Sequence, residues 1–154
     1  MRGARIIDGL ILYRWRNSYV VKKYFINQEK STLRGHFHWY LDFLKSNDHK
    51  MYFFWKGLRR CGMTRLNRLG KSTEYEISIL VSPKFHRQGL ASVLLNNTLQ
   101  VAVQQFGASR VIARVNHLNH PSIKTFTRFG FTQYQSDAFY EYLEFKLLEE
   151  LFDA

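Results

Sequence analysis

The longest regular pattern in the chain covers residues 89–106, where Leu90, Leu94, Leu95, Leu99, Ala102, Val103 and Phe106 recur at helical spacing and Gly107 stands where a helix commonly ends. Residues 74–81 alternate instead, with Tyr75, Ile77, Ile79 and Val81 against Glu74, Glu76, Ser78 and Leu80, which predicts a strand. Pro83 has no N–H to give a ladder and ends it. Upstream, Asp8 is placed to cap a helix reaching about residue 18, with Leu10, Ile11, Tyr13 and Trp15 as apolar positions. Thr32 opens a second helix to about Lys45 on Leu33, Phe37, Trp39, Tyr40, Leu41 and Leu44; residues 20–31 between them show no period. Residues 51–56 and 61–69 read as strands joined at Gly57, and Gly70-Lys71-Ser72 turns the second into the strand at 74. Further on come a β-branched strand over 109–115, a short helix opened by Asn119 or His120 and closed by Gly130, and two last strands over 131–134 and 138–147. The acidic end, 149–154, is expected to fray. The order α α β β β α β α β β predicts a mixed α/β fold.

Composition changes this picture little. The 154 residues suit a single domain over 1–154, with no repeat, linker or low-complexity tract. The apolar runs are too short to span a bilayer, and no signal-peptide pattern opens the chain. The single cysteine, Cys61, excludes an internal disulfide and points to a reducing compartment, so a cytoplasmic location is expected. His36/His38 and His117/His120 have no Cys or carboxylate at ligand spacing, so no metal is expected. The formal charge of +11 does matter. It is either a solvated basic surface or the mark of an anionic partner. The basic residues are scattered (Arg14/Arg16, Lys22/Lys23, Arg59/Arg60, Arg65/Arg68/Lys71, Lys84/Arg87) and stripe no helix. That argues against nucleic acid and leaves a phosphate-bearing small molecule.

The turn between the strand at 74–81 and the helix after Gly89 carries the clearest chemistry. The first turn of a helix has N–H groups without internal partners, and the helix dipole adds positive potential there. Gly89 permits unusual φ and close approach, and Ala91 keeps the second turn small. A pyrophosphate fits such a nest; the plain alternative is a strand-to-helix turn tightened by Gly. The stretch His86-Arg87-Gln88-Gly89-Leu90-Ala91, followed by Asn119-x-x-Ser122-Ile123-x-x-Phe126-x-x-x-Gly130-Phe131, resembles the two motifs of the GCN5-related N-acetyltransferase family. The resemblance covers residues 74–134 strongly and the rest by element order. It implies a mixed central sheet with splayed central strands, flanked by about four helices. It implies acetyl-coenzyme A as cofactor, its pyrophosphate on the amides of Arg87, Gln88, Gly89, Leu90 and Ala91, with His86 where Arg or Gln is usual. Its pantetheine would pair with the strand edge at Ile79, Leu80 and Val81, and Asn119, Ser122 and Phe126 would face the pantetheine arm and thiol end.

Phe126 departs from the family, which usually has Tyr there to protonate the leaving thiolate; phenylalanine has no proton to give. Ser122, Tyr134 or water would have to serve, or the thiolate would leave unaided, as a thiolate can near neutral pH. The acceptor amine needs a general base within reach or through one water. Glu76 is the first choice, with Glu74 beside it; the plain alternative is a solvated or Arg-paired strand glutamate. Backbone N–H near Ile79 would polarise the carbonyl.

The N-terminal part holds Trp15-Arg16-Asn17, then Lys22, Phe25 and His36-x-x-Trp39. Read plainly, this is a helix pair packed by two tryptophans, with His36 hydrogen-bonded. It also resembles the subset of the family that acetylates nucleotide-linked 4-amino sugars, as in pseudaminic acid pathways. By that resemblance residues 1–48 form the acceptor pocket, 49–134 the acetyl-CoA core and 135–154 the final strand and tail. Arg16, Lys22 and Lys23 would receive a nucleotide diphosphate, with Tyr24, Phe25 and Trp39 stacking. The partners expected are therefore acetyl-CoA and a small nucleotide-linked amine, with no membrane and no nucleic acid. The alternatives are a protein N-terminal acetyltransferase of the ribosomal-protein type and a non-catalytic acyl-CoA or nucleic-acid binder. The family usually opens on a full first strand, whereas few residues precede the first helix here. A short or missing strand would expose a neighbouring edge and favour a homodimer.

Overall fold

The computed structural model describes residues 1–25 and 31–147; the predicted fraying of 149–154 lies outside them. Its elements are β1 (Arg2–Gly3), α1 (Gly9–Arg16), α2 (Tyr19–Lys22), α3 (Leu33–Lys45), β2 (His49–Lys56), β3 (Arg59–Arg68), β4 (Glu74–Val81), α4 (Leu90–Phe106), β5 (Arg110–Asn116), α5 (His120–Phe129), β6 (Thr132–Ser136) and β7 (Tyr140–Lys146). The strands form one mixed sheet in the order β1-β2-β3-β4-β5-β7-β6. Only β4 and β5 run parallel, because α4 carries the chain from one to the other; the remaining neighbours pair antiparallel. The expected mixed α/β fold is therefore observed. The first strand is indeed short: two residues pair with Phe53 and Tyr52 of β2.

Alternation decides which face each strand residue serves. Tyr75 and Ile77 of β4, Val111, Ala113 and Val115 of β5, and Leu143 of β7 turn to one face and form a core with Leu95, Leu99 and Ala102 of α4 and Phe126 of α5. On the opposite face α1 and α3 cover β2 and β3 through Leu12, Trp15, Tyr40, Phe43, Met51, Phe53 and Met63. We call these the back and front faces. Helix α4 sits close to the sheet because Gly62 has no side chain: a Cβ there would come within 2.5 Å of Leu94 Cδ2. The buried hydroxyls of Thr64 and Thr98 complete that contact at 2.8 Å.

The sequence pattern misses two things at the N-terminus. A helical turn, α2, forms where no period was visible, and a 3-10 turn over Ile6–Asp8 precedes α1. Asp8 stands at the predicted N-cap position, but its carboxylate does not cap α1. It is fully buried, accepts from Arg5 N at 2.8 Å, and receives both Arg2 (3.0 Å to each oxygen) and Arg60 (2.7 Å). Both guanidiniums lie over the Trp55 ring. A buried carboxylate needs charged partners more than a helix needs one cap. This cluster ties β1 and α1 to β3, so Asp8→Ala would leave two cations facing each other. The expected loss is about 3 kcal/mol, read as a lower urea midpoint with an unchanged m-value.

Candidate active site

Strands β4 and β5 pair only over Glu74–Glu76 and Arg110–Ile112, and then part. The ladder to β3 shows which β4 groups are left. Leu69 N donates to Glu74 O and Ser82 N to Cys61 O, both at 2.9 Å. Alternation then gives β3 the backbone groups of Glu76, Ser78 and Leu80, and turns those of Ile79 and Val81 toward β5, which has moved away. His86 takes one of them: its Nε2 lies 2.9 Å from Val81 O. An N–H on Nε2 therefore donates to that carbonyl. The residue that departs from the family motif thus finishes the strand edge, while Ile79 N–H, Ile79 C=O and Val81 N–H face the gap.

At the open end of this gap the chain turns into α4. Arg87 (φ 61°) and Gly89 (φ 71°) are both left-handed, which curls successive N–H groups toward one concave point at the helix N-terminus. Arg87 bears strain there of order 1 kcal/mol. A Cβ on Gly89 would meet no atom within 4 Å, so the space before it is open. Lys56, at the end of β2, adds an ammonium beside the turn by bonding Gln88 Oε1 at 2.8 Å. Sequence reading overlooked Lys56 because its place depends on the β2–β3 register. Across the gap, Asn119 Oδ1 accepts from Ser122 N at 3.3 Å and so caps α5, leaving Ser122 at the helix start beside the end of β5. Phe126 lies deeper, 3% exposed with its ring edge-on to Phe131.

The other candidates occupy the front face. Glu76 is held by Arg114 at 3.8 Å, so the Arg-paired reading of this glutamate applies to its resting state. Arg110 takes Glu74 (3.4 Å) and Glu144 (2.6 Å). Its guanidinium also lies 4.7 Å from the Tyr134 ring, at the paired end of β4 and β5. Burial raises the Tyr134 phenol above its usual value. Glu76 and Tyr134 therefore share a face, and Ser122 lies toward the other.

The N-terminal residues divide. Trp15 (7% exposed) packs on Phe53 within the core. His36 (2% exposed) joins α3 to α1 through Nε2 to Gly9 O at 2.8 Å, stacked on Tyr40. Burial lowers its imidazole below the usual value. Both side chains are buried in the helix-pair packing of the plainer reading. Asn17 donates to Tyr13 O at 3.0 Å and finishes α1. Arg16 lies over Trp39 (4.7 Å) and nearer the rim over Phe25 (5.9 Å). Lys22 ends α2, and Phe25 is partly exposed. Cys61 is buried, and burial raises its thiol, as suits a core residue.

With this geometry in view, the comparisons identify the chain. It belongs to the acetyltransferase (GNAT) family, whose model matches residues 12–131. It is an N-acetyltransferase that uses acetyl-coenzyme A and acts on an amine. The fold is similar to spermidine N-acetyltransferase from Vibrio cholerae in complex with CoA and spermine (TM-score 0.88, 13% identity, 97% of this chain and 96% of that one). It is also similar to a domain from Methanocaldococcus jannaschii (TM-score 0.82, 20% identity, 95% and 96%). A third likeness is to Campylobacter jejuni N-acetyltransferase PseH in complex with acetyl coenzyme A (TM-score 0.72, 16% identity, 94% and 93%). No curated protein matches the sequence. No helix among the described residues is long and apolar enough to cross a membrane.

The residues present fit the coenzyme. The turn over 87–91 offers amides to a pyrophosphate, and the unpaired edge of β4 offers a donor and an acceptor to an amide-bearing arm. Gly89→Ala tests this fit. Its Cβ meets no protein atom, so beyond about 1 kcal/mol for the left-handed φ the fold should hold. Coenzyme A affinity measured by calorimetry should fall by about tenfold or more, because the methyl enters the coenzyme's space.

A second feature closes the same end of the site. His117, after β5, bonds Asp137 O through Nε2 (2.7 Å) and Glu141 through Nδ1 (2.8 Å), tying the α5 entry to the β6–β7 hairpin. The Asp137 carbonyl, then Glu141, raises its imidazole above 6.5. A raised folded-state value means that the tie is complete at and below the ordinary imidazole range and is lost as pH climbs through the raised value. Amide exchange of residues 137–140, corrected for intrinsic pH dependence, should accelerate over that window in the native chain and be insensitive to it in His117→Gln.

Proposed function

We propose that the acceptor is the amino group of a nucleotide-linked amino sugar. The observation that carries this is the sign of the front face. Arg16, Arg65 and Arg114 gather beside the open end of the sheet. Glu74 and Glu144 are engaged by Arg110, which leaves Glu76 as the carboxylate toward them. A polyamine would meet cations there, whereas an amine that carries phosphate meets complementary charge. Fold likeness does not choose, since spermidine and PseH enzymes share the architecture at similar low identity. The resemblance of Trp15-Arg16-Asn17 and His36-x-x-Trp39 to nucleotide-sugar acetyltransferases favours the same acceptor, with Arg16 and Trp39 the members left at the surface.

Bound acetyl-CoA supplies an electrophilic thioester carbonyl and a thiolate leaving group. The β4 edge orients it, and Ile79 N–H, unpaired in the gap, donates to the oxygen where negative charge develops. Glu76 takes the proton of the attacking amine through a water, with the Arg114 guanidinium 3.8 Å away. Ser122 at the start of α5 is better placed than Tyr134 to return a proton to sulfur, because Tyr134 is held by Arg110 at the closed end of the gap.

Coenzyme A release should be seen with nucleoside-diphosphate-linked amino sugars and not with spermidine; release with spermidine or with peptide N-termini alone would defeat the assignment. Glu76→Gln should lower kcat by about 10²–10⁴-fold with coenzyme A affinity unchanged. Equal activity in that variant would remove Glu76 as the base.

A further inference from the structure

Between α3 and the adjoining ends of β2 and β3 lies an open groove of about 410 Å³, lined by Trp39, Phe43, His49, Arg65 and Asn67, with Asp42 and Ser46 at its rim. A larger concavity, about 570 Å³, lies on the outer side of α3 and includes no strand residue. The smaller groove is unusual in its unmet polar groups. Arg65 Nε, Asn67 Oδ1 and His49 Nδ1 are buried and have no hydrogen-bond partner among the described residues. Buried polar groups normally have one, so three beside one open groove take their partners from solvent or from a ligand.

Their chemistry restricts it. Arg65 spends one nitrogen on Ser78 Oγ at 3.3 Å and keeps Nε free. Arg16 is close enough to repel Arg65 electrostatically, and neither has a carboxylate within ion-pair distance among the described residues. Two partly buried guanidiniums within electrostatic reach of each other, with Glu76 the carboxylate in reach of Arg65, favour an oxyanion. Asn67 Oδ1 is an acceptor and requires a donor from the ligand. Trp39, Phe43 and His49 supply flat apolar walls, with Phe43 stacked on His49 at 21°. The rim carboxylate, Asp42, is turned to His38 (3.5 Å) and Lys45 (4.0 Å). Position fixes the rest: Asn67 pairs in register with Glu76, and Arg65 with Ser78. The groove therefore adjoins the proposed base on the neighbouring strand.

We propose that this groove is the subsite for the phosphorylated end of the acceptor: Arg65, backed by Arg16, binds a phosphate oxyanion, and Asn67 Oδ1 accepts from a hydroxyl or imide N–H of the same ligand. This rests on the reading of the acceptor above, since the groove is next to Glu76.

The test uses the full chain saturated with coenzyme A, so that the coenzyme's own phosphate site is filled. Inorganic pyrophosphate, uridine diphosphate and succinate are titrated by calorimetry, with Trp fluorescence as a second readout. Pyrophosphate and uridine diphosphate should bind and succinate should not. Arg65→Gln should weaken both phosphate ligands by about tenfold or more with coenzyme A affinity unchanged. Asn67→Ala should weaken uridine diphosphate alone. If Arg65→Gln fails to fold by circular dichroism, Arg65→Lys and Arg16→Gln decide in its place. No phosphate binding to the saturated protein, succinate binding as well as pyrophosphate, or wild-type affinity in the folded arginine variants would overturn the subsite. Uridine diphosphate binding without acetylation of any nucleotide-linked amine would sink the acceptor reading and leave the subsite standing; acetylation without that binding would do the reverse.

Discussion

The parting of β4 and β5 after three paired residues is the constraint from which the rest of the site follows. A parallel pair in the middle of a sheet ordinarily satisfies every backbone group on both strands. Here the ladder stops at Glu76 and Ile112 while both strands continue, so Ile79 and Val81 present backbone groups to a gap inside the sheet. Such an interior edge is sustained by its surroundings. The back-face core of α4 and α5 holds each strand in place from behind, and β3 and β7 complete their outer ladders. His86 closes the Val81 carbonyl, leaving an edge of only a few groups for an amide-bearing coenzyme to complete.

The same parting sets the electrostatics of the front. Helices α1 and α3 are fixed over β2 and β3 by the Asp8 cluster and by His36, and their core reaches β4 at Leu80. Beyond the covered strands, β4, β5 and β7 carry Glu76, Arg110, Arg114 and Glu144, and Arg65 of β3 stands next to them. Arg65 and Arg114 thus lie within electrostatic reach of Glu76, where the ladder between β4 and β5 ends. The strand register decides which of the scattered cations share a face.

The coenzyme half of the site was legible because it depends on local chemistry. Glycine at a left-handed turn, a proline after a strand, an Asn cap and a Gly closing α5 are each readable over a few residues, and the structure forms those elements within a residue or two of the pattern. The acceptor half depends on contacts between distant segments. Trp15 and His36 match a recognisable pattern, yet the close approach of α1 and α3 at Gly9, where a Cβ would lie 2.8 Å from Phe37, pulls both into the core. Arg65 sits in a strand of mixed pattern and gave no signal, because its neighbours Asn67, Ser78 and Arg16 are set by the hairpin register and by α1. Asp8 misled for a related reason: capping is a local habit, and two arginines brought in by β1 and β3 outcompete it.

Phe126 shows how a motif position can keep its place and change its use. In the family pattern the residue here reaches the thiol end of the coenzyme with a phenolic hydroxyl. In this chain the ring lies edge-on to Phe131, which itself packs against Phe145 of β7. That aromatic run joins α5 to the β5–β7 half of the sheet and stabilises one wall of the gap. A hydroxyl on the ring would have to find a partner near this apolar cluster or turn toward the gap. Phenylalanine has no proton to return to sulfur, so in the mechanism proposed above that step falls to Ser122 at the start of α5. On that proposal the loss of an acid at position 126 moves the work from a buried ring to the first turn of α5, where the helix dipole lowers the cost of a nascent thiolate.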